Sequence, residues 1–352
     1  MTNHDHVRSL KLIVPEDGSN FGAYMRHVRN YAPLSLTFRN DAYAAFEGIT
    51  NSLFGIDSMH YGLPLAHFDR AMLWYTHLNE DKSSEREHGG ICFPTWSWSS
   101  KLSSSERVIY PDDSFYGALT AWYQYDEASV DMLLAVNNKP DNGIESVWRN
   151  YMAIACSEGC VMSDSDSLPA QDTWTGSYAA PHKRWPDYQA FYQQLSGFRT
   201  EVPSDIRQTM RDTPGVLLGQ AQSALFDLEV ADYDPRRVEI IDSHDNIVGE
   251  LHGRAIRIRQ RLMPQEGSDY RDLCRFEFIA LALSRKGERS DGDQGIEKTY
   301  VDVLGDGPSN APVVEVMLIA WQGPIAYREA LGWIYLVDWA ASPRQWKTII
   351  LG

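Results

Sequence analysis

Short apolar segments typical of β-strands follow one another along the chain after about residue 215. Between two of them stands Ser243-His-Asp-Asn, which is a hairpin turn signal. Connections of hairpin length force neighbouring strands to run antiparallel, because a parallel neighbour needs a long crossover. The sequence therefore predicts a mainly antiparallel arrangement of the following segments: Ala224–Val230, Val238–Ile241, Ile247–Leu251, Ala255–Ile258, Phe276–Leu283, Val313–Trp321, Gly332–Val337 and Trp346–Leu351.

The first eighty residues have a different periodicity. Apolar residues recur there at helical spacing, which predicts helices over Phe21–Tyr31, Ala42–Leu53 and Leu65–His77. Helices first and strands later favour an α+β class. We therefore expect a helical, aromatic-rich N-terminal half (1–210) packed on a mainly antiparallel, β-rich C-terminal half (211–352), as one continuous fold.

The middle of the chain is less regular. Trp96 and Trp98 alternate with serine, which predicts a half-buried strand. Residues 110–150 mix short aromatic segments with turn signals, and the polar stretch 163–176 predicts a loop or boundary. Trp185–Phe198 is compatible with one helix, since Pro186 stands in its first turn.

The charge balance argues against polyanionic partners. Lys plus Arg number 32 and Asp plus Glu number 48, giving a net charge of −16, and no run of basic residues exceeds two. Such a surface repels nucleic-acid phosphates and anionic lipid. No segment approaches the roughly 20 apolar residues of a membrane helix, and residues 1–8 lack the apolar core of a signal peptide. We expect a cytoplasmic protein that binds no nucleic acid and does not insert into membranes.

Metal and cofactor motifs are absent from the sequence. The chain has four cysteines, which is no disulfide framework. Cys156 and Cys160 stand in a C-x3-C arrangement, but no second pair with metal spacing follows, so buried thiols are the simpler interpretation. There is no phosphate-binding loop, no H-E-x-x-H, no EF-hand loop and no G-x-S-x-G. If the protein catalyses a reaction, we predict that it does so without a metal or a cofactor.

Four stretches, in order along the chain, match the pattern of a known family. The first is Tyr31-Ala-Pro-Leu-Ser-Leu-Thr-Phe-Arg-Asn-Asp-Ala-Tyr-Ala-Ala-Phe-Glu-Gly-Ile, and the second is Tyr61-Gly-Leu-Pro-Leu-Ala-His-Phe-Asp-Arg-Ala-Met-Leu-Trp. The third is Phe93-Pro-Thr-Trp-Ser-Trp. The fourth is the tail, with Val316-Met-Leu-Ile-Ala-Trp, Tyr327-Arg-Glu-Ala-Leu-Gly-Trp-Ile and Trp346-Lys-Thr-Ile-Ile-Leu-Gly. Together they resemble fungal heterokaryon-incompatibility (HET) proteins, in the region downstream of the TIR-like HET domain.

The departures from that family limit what the resemblance implies. We expect no counterpart of the signalling domain that normally precedes these segments, since only 30 residues stand before the first match at Tyr31. Its activity is therefore not carried over. The third Trp of the tryptophan motif is also replaced, because Ser99-Ser-Lys follows Trp98. The resemblance implies a free-standing HET-like protein of fungal type, and such free-standing proteins often belong to natural-product pathways.

Aromatic side chains supply the candidate ligand site. The chain has 11 Trp, 18 Tyr and 12 Phe. An apolar cleft with a few polar groups suits a hydrophobic ligand, and aromatic faces stabilise developing cationic charge. We predict Trp74, Trp96 and Trp98 as substrate-binding walls. Core packing is the alternative for each of them.

Polar candidates cluster around the second stretch. His60 and His67 flank the Gly62-Leu-Pro turn, and Asp69 follows. Histidine is the natural general acid or base near neutral pH, and a carboxylate can fix its tautomer. We predict catalytic roles for His67, His60 and Asp69, with His60 or His67 nearest the ligand's polar group. The alternative is structural, because residues i and i+2 of a helix diverge; His244 and His252 are expected in exposed loops.

Two functions remain open. In the first, the chain is a cofactor-independent cyclase or isomerase, of Diels–Alder type, that holds a hydrophobic terpenoid or polyketide intermediate of fungal secondary metabolism in a reactive conformation. In the second, it is a non-catalytic module that binds a ligand or partner in fungal self/non-self recognition. The enzyme hypothesis predicts that the chain binds a hydrophobic small molecule. The module hypothesis predicts the same in the form in which the module binds a ligand rather than a partner.

Overall fold

Strands outnumber helices in the described part of this computed structural model. The described residues are 20–34, 42–56, 58–77, 93–101, 107–111, 114–125, 133–134, 155, 204–253, 258, 275–285 and 312–352. Cys156, Cys160, the polar stretch 163–176, the Trp185–Phe198 helix and most of the Ala255–Ile258 strand lie outside them.

The described elements before residue 204 are short. The helices are α1 (Asn20–Tyr31), α2 (Ala42–Phe54) and α3 (Phe68–Ala71), and single 3-10 turns cover Leu65–His67 and Trp98–Lys101. The strands are β1 (Met59–His60), β2 (Leu63–Pro64), β3 (Tyr75–His77), β4 (Arg107–Ile109), β5 (Ser114–Ala118), β6 (Ala121–Gln124) and β7 (Leu133–Leu134).

The elements after residue 204 are mostly long strands. Two helices, α4 (Ser204–Asp212) and α5 (Leu336–Ala341), accompany them. The strands are β8 (Leu217–Val230), β9 (Val238–Ile241), β10 (Ile247–Leu251), β11 (Phe276–Arg285), β12 (Pro312–Gln322), β13 (Ile325–Tyr335) and β14 (Gln345–Leu351).

Six of these strands close on themselves. Strand β8 pairs with β11, β11 with β12, β12 with β13, β13 with β10, β10 with β9, and β9 returns to β8, every pair being antiparallel. Since each strand has a partner on both sides, the six form a closed barrel. Strand β14 adds to the outer end of β8 and touches β13 in parallel, while β5 and β6 extend the same sheet from β11 and β8.

Successive side chains along the barrel strands face opposite sides of the sheet, and each side packs into its own apolar cluster. Inward-facing side chains such as Phe226, Ile240, Phe278, Val316 and Ile334 pack together and fill the barrel. Their neighbours on the opposite face belong to a second buried cluster. That cluster also contains α1, α2 and the tryptophan segment, so the N-terminal part packs on the outside of the barrel. We call its N-terminal rings the aromatic layer: Phe21, Tyr24, Phe46, Phe68, Trp74, Trp96 and Trp98.

The hairpin between β9 and β10 follows its local sequence. Asp242 Oδ1 accepts hydrogen bonds from the backbone N–H groups of His244 (2.8 Å) and Asn246 (2.9 Å). Asp245 takes a positive φ of 60°, a conformation that Asp and Asn tolerate. The Ser243-His-Asp-Asn turn signal is therefore confirmed, and the antiparallel β9–β10 pairing with it.

The predicted α+β class is wrong, because the fold is mostly β and its N-terminal half holds only a few short helices. The predicted helix from Leu65 to His77 ends at Ala71, and Tyr75–His77 instead pairs with β4. Tertiary contacts explain the difference: the guanidinium of Arg328 on β13 donates hydrogen bonds to the carbonyl oxygens of Met72 (2.8 Å) and Trp74. A helix would have used those oxygens internally.

The predicted strand through Trp96 and Trp98 is also wrong. This segment is a turn followed by the 3-10 turn Trp98–Lys101. Its serines form local hydrogen bonds, since Ser97 Oγ accepts from the backbone N–H of Ser99 (3.1 Å) and Ser100 Oγ donates to the Ser97 carbonyl (2.8 Å). Serine side chains that bond nearby backbone compete with strand pairing.

Within the described ranges, no helix is both long enough and apolar enough to cross a membrane.

Candidate functional site

The three predicted substrate-binding tryptophans lie inside the aromatic layer. Trp74, Trp96 and Trp98 are 3%, 0% and 1% exposed. Trp98 Nε1 donates to Tyr24 Oη (3.0 Å) and to the Gly62 carbonyl (3.2 Å), Trp96 Nε1 to the Gly215 carbonyl (3.1 Å) and Trp74 Nε1 to the Trp96 carbonyl (2.8 Å). Each indole therefore has a protein partner, and the rings serve as packing volume.

His60 contacts this layer directly. Its imidazole stacks on Trp96 with the ring centroids 5.5 Å apart and an interplanar angle of 13°. Burial lowers the pKa of His60 to about 4, so the ring is neutral at pH 7. Nε2 is buried and has no hydrogen-bond partner among the described residues. His60 thus lies beside a predicted tryptophan, with one ring face stacked on Trp96 and with Nε2 buried.

His67 packs against other rings than His60 does. Its centroid is 5.1 Å from that of Phe21 and 5.9 Å from that of Phe54. Burial lowers the pKa of His67, and the positive charge of Arg70 lowers it further. The two histidines therefore do not converge on one point, while His67 shares the Phe21 ring with Arg70, whose guanidinium carbon lies 4.7 Å from the ring centroid.

Asp69 does not orient either histidine. Its side chain is 3% exposed, and neither carboxylate oxygen has a hydrogen-bond partner among the described residues. Burial raises the pKa of Asp69 well above its usual range, against a smaller lowering by its own backbone N–H. A buried, unpaired carboxyl of this kind favours the protonated form. The structure therefore brings His67 and Asp69 into one short helical region without joining them as a dyad.

Arg328 is a buried cation that sequence reasoning missed. Its guanidinium carbon lies 4.1 Å from the centroid of the Trp74 ring, and its backbone N–H donates to Thr95 Oγ1 (2.9 Å). Burial lowers the pKa of Arg328 to about 9, with Tyr110 acting in the opposite direction. The available signal was its place on β13, where alternation puts Arg328 on the same face as the buried Ala326. The geometry assigns it to tying β13 to the segment after α3.

A second missed cluster joins a histidine to a carboxylate. His252 Nε2 and Glu315 Oε2 are 3.0 Å apart, and the His252 ring stacks on Tyr75 with the centroids 4.9 Å apart. The exposed loop predicted for His252 is therefore incorrect, since this side chain is packed between β3 and β12. Glu315 is fully buried within the apolar segment Val313–Trp321, and a lone acidic residue at such a position was a readable signal.

An apolar cleft opens where α1 and α3 meet β5 and β11. We call it the Arg70 cleft, and its empty volume is about 250 Å³ including the open mouth. Its walls are mostly apolar and its polar members are one guanidinium and two hydroxyls. The lining residues are Phe21, Met25, Arg70, Leu73, Tyr110, Pro111, Phe115 and Ser284.

The Arg70 cleft lies next to the predicted site without coinciding with it. His67 contacts its wall through Phe21, and Asp69 is the chain neighbour of Arg70. None of the three predicted tryptophans lines it. Sequence reasoning singled out the turn of chain that borders this cleft and named buried rings rather than lining ones, since a periodic pattern does not separate a core aromatic from a cleft aromatic.

The described ranges contain no group of three His, Cys, Asp or Glu side chains placed to hold a metal ion. Comparison of the chain with protein-family models, with characterised proteins and with solved structures gives no match.

Proposed function

We propose that this chain binds a small hydrophobic molecule in the Arg70 cleft. The observation that carries the proposal is the lining itself: Met25 and Phe115 are half-buried at the cleft, Phe21 and Leu73 lie behind them with 2% and 4% exposed, and Arg70 is held over the Phe21 ring. Concave apolar surfaces with a few fixed polar groups are typical of small-molecule sites. Two hydroxyls, of Tyr110 and Ser284, add hydrogen-bonding capacity.

The predicted tryptophans are poorly placed to wall a ligand site, which favours the Arg70 cleft over them. A ligand walled by Trp96 and Trp98 would have to displace rings that are almost completely buried and whose N–H groups are already bonded. Opening such a core costs several kcal/mol, on the order of 3 to 5 per large aromatic side chain. The cleft is already open to the surface, and none of these tryptophan rings lines it.

Cyclisation or isomerisation without a cofactor is the catalytic form of the proposal, with a terpenoid or polyketide intermediate as the substrate class. Arg70 favours it, because a guanidinium beside an apolar cavity can donate a hydrogen bond to a carbonyl and stabilise charge that develops there. His67 does not act as a general acid in this scheme, since its lowered pKa favours the neutral imidazole. The non-catalytic alternative uses the same cleft for ligand binding only.

The kinship with HET proteins remains part of the proposal. It rests on the four sequence stretches, several of whose residues, including Phe46, Phe68 and Trp96, are buried in the aromatic layer. Those matches therefore support a shared way of packing. They do not by themselves supply a shared activity.

Binding is tested with N-phenyl-1-naphthylamine, a neutral probe whose emission rises in apolar sites. We expect saturable binding to the purified chain, weakened at least about tenfold by Met25→Trp, which fills the cleft. Leu34→Trp is the matched control, because Leu34 is 50% exposed and does not line the cleft. Equal binding to both variants, with both melting as the parent does, would overturn the proposal.

Catalysis is then separated from binding with an achiral triene ester that closes slowly on its own by an intramolecular Diels–Alder reaction. An enzyme of the proposed class gives an excess of one enantiomer, measured by chiral chromatography, and Met25→Trp abolishes that excess. A racemic product from a probe that does bind supports the non-catalytic module instead.

A further inference from the structure

One hydroxyl in the wall of the Arg70 cleft lacks a partner within the protein. Ser284, on β11, lines the cleft and is only 1% exposed. No hydrogen bond joins its Oγ to another residue that the structure describes. Leaving a buried hydroxyl unbonded costs free energy, so such a group in a folded protein needs an explanation. A ligand atom that bonds this hydroxyl would supply the missing partner.

A bulge beside Ser284 places an aromatic ring next to this hydroxyl. The register of β5 against β11 shifts by one residue between Leu283 and Ser284, which puts Phe115 directly opposite Ser284. Residues opposite each other in an antiparallel pair point to the same face, with Cβ atoms roughly 5 Å apart. Bulges re-aim side chains and are frequent beside functional sites. The shift therefore gives the cleft a hydroxyl and a half-buried ring side by side.

The other hydroxyl of the cleft, that of Tyr110, already has an acceptor inside the protein. Tyr24 Oη donates to the Gly62 carbonyl (2.9 Å), and a phenol has only one proton. The contact between the two tyrosine oxygens, 3.4 Å long, therefore takes its proton from Tyr110. Of the two lining hydroxyls, that of Ser284 is the one whose proton is available to a ligand.

We propose that Ser284 donates a hydrogen bond to a ketone-type carbonyl of the ligand, and that a flat apolar group attached to this carbonyl packs on Phe115. The inference rests on the proposed function and names the polar group that its ligand carries. A carbonyl oxygen that leaves water needs a donor, and the flat group next to it needs apolar contact. Ser284 and Phe115 supply one of each at the spacing of neighbouring side chains.

The test uses two ligands of one shape, 2-acetylnaphthalene and 2-isopropenylnaphthalene, which differ by an oxygen in place of a methylene group. Each displaces N-phenyl-1-naphthylamine from the purified chain at pH 7. In the parent chain the ketone should bind at least as tightly as the alkene, although water solvates the ketone better. The quantity compared between variants is the ratio of the two affinities.

Ser284→Ala should weaken the ketone about tenfold and leave the alkene within about twofold, since only the ketone loses a hydrogen bond. Ser243→Ala is the matched control, because Ser243 is an exposed turn residue that does not line the cleft. Tyr110→Phe should leave the ratio unchanged.

Infrared spectroscopy supplies a readout that does not depend on affinity. The carbonyl stretch of 2-acetylnaphthalene, labelled with carbon-13 at the carbonyl, should lie at lower frequency when the ketone is bound to the parent chain than in hexane. In Ser284→Ala it should move back towards the hexane value. The parent measurement alone tests the hydrogen bond if the variant folds poorly.

Three results would overturn the inference while hydrophobic binding stands. They are an unchanged ratio in folded Ser284→Ala, a loss of the ketone preference in Tyr110→Phe instead, and a bound carbonyl stretch equal to that in hexane. If N-phenyl-1-naphthylamine itself does not bind, the proposed function fails, and this inference fails with it.

Discussion

Asp69 is 3% exposed, and its carboxyl group has no hydrogen-bond partner among the described residues. Removing a carboxylate from water without a partner is costly. Its pKa is therefore raised above the usual 3.8. Since the folded state holds the proton more tightly than the unfolded state, this group favours folding fully below about pH 3.8 and progressively less as the pH rises through its folded pKa.

We therefore expect Asp69→Asn to be more stable than the parent at pH 7, by roughly 1 to 3 kcal/mol. The difference between the two proteins should grow as the pH rises from about 4, because only the parent carries the ionisable group. Urea unfolding at a series of pH values measures this. Asp245→Asn makes the same replacement at an exposed turn position and is the control. A difference for Asp69→Asn that stays constant from pH 4 to pH 8 would contradict the assignment.

Single residues were the hardest part of the site to predict. His60, His67 and Asp69 were selected for their chemistry, and burial then decided their state: both histidines have lowered pKa values and the carboxyl has a raised one. Arg70, next to Asp69 in sequence, was not among the predicted site residues, yet it lines the cleft. The segment around the Gly-Leu-Pro turn is too short to show a helical repeat of apolar residues. Residue spacing therefore could not predict which of its side chains are buried and which line the cleft.

Strand β10 has a bulge where it pairs with β9, and on its other side it lies very close to β13. The register shifts between Ile247 and Gly249, and at Gly249 a side chain would fall on the backbone oxygen of Trp333 in the neighbouring strand. Backbone of a paired strand cannot move aside as a flexible side chain can. Glycine is thus required at this position by the close approach of β10 and β13.

Gly249→Ala should accordingly destabilise the protein by about 3 kcal/mol or more, comparable with other severe core changes. Gly48→Ala is the matched control: it lies within α2 with no atom within 4 Å of the added carbon, so it should stabilise by roughly 0.5 to 1 kcal/mol. Melting curves of the two variants give the comparison. Similar melting temperatures for both would show that the β10–β13 approach is looser than described.

Element positions were predictable wherever the pattern was long and locally determined. The strand segments at Val238–Ile241 and Ile247–Leu251 match β9 and β10, and Phe21–Tyr31 lies within α1. The predictions failed where a residue distant in sequence bonds to the segment, as Arg328 does to the carbonyl oxygen of the residue after Ala71. The pairing of β8 with β11 and of β10 with β13 was beyond the sequence, because hydrophobic periodicity indicates which face of a strand is buried and not which remote strand lies beside it.

The two apolar clusters share the strands of one barrel. The outer cluster joins Phe21 and Tyr24 near the start to Ile349 and Leu351 near the end, and strands β5 and β6 are hydrogen-bonded to β11 and β8. The parts before and after residue 210 therefore contribute to the same sheet and the same core. Neither can lose its packing without exposing the other.

We expect one cooperative unfolding transition. Tryptophan fluorescence reports in part on the aromatic layer, through Trp74, Trp96 and Trp98, and far-ultraviolet circular dichroism reports mainly on the barrel strands. In urea the two signals should give the same midpoint and the same slope. Two separated midpoints, with fluorescence changing first, would instead mean that the N-terminal part is an independent unit attached to a stable barrel.

Strand β8 pairs with segments that lie far from it in the sequence, which affects how the chain folds during its synthesis. Its 14 residues pair with β6, β9, β11 and β14, and the aromatic layer packs against a surface that includes Met317 and Ile349. Ribosomes add roughly 5 to 20 residues per second, so the rings near residue 21 wait on the order of tens of seconds for the strands that will cover them. Partners so far apart in sequence also make the search for the native pairing slow. During that interval the nascent chain presents bare aromatic faces, and chaperones that hold exposed hydrophobic segments are its natural protection in the cell.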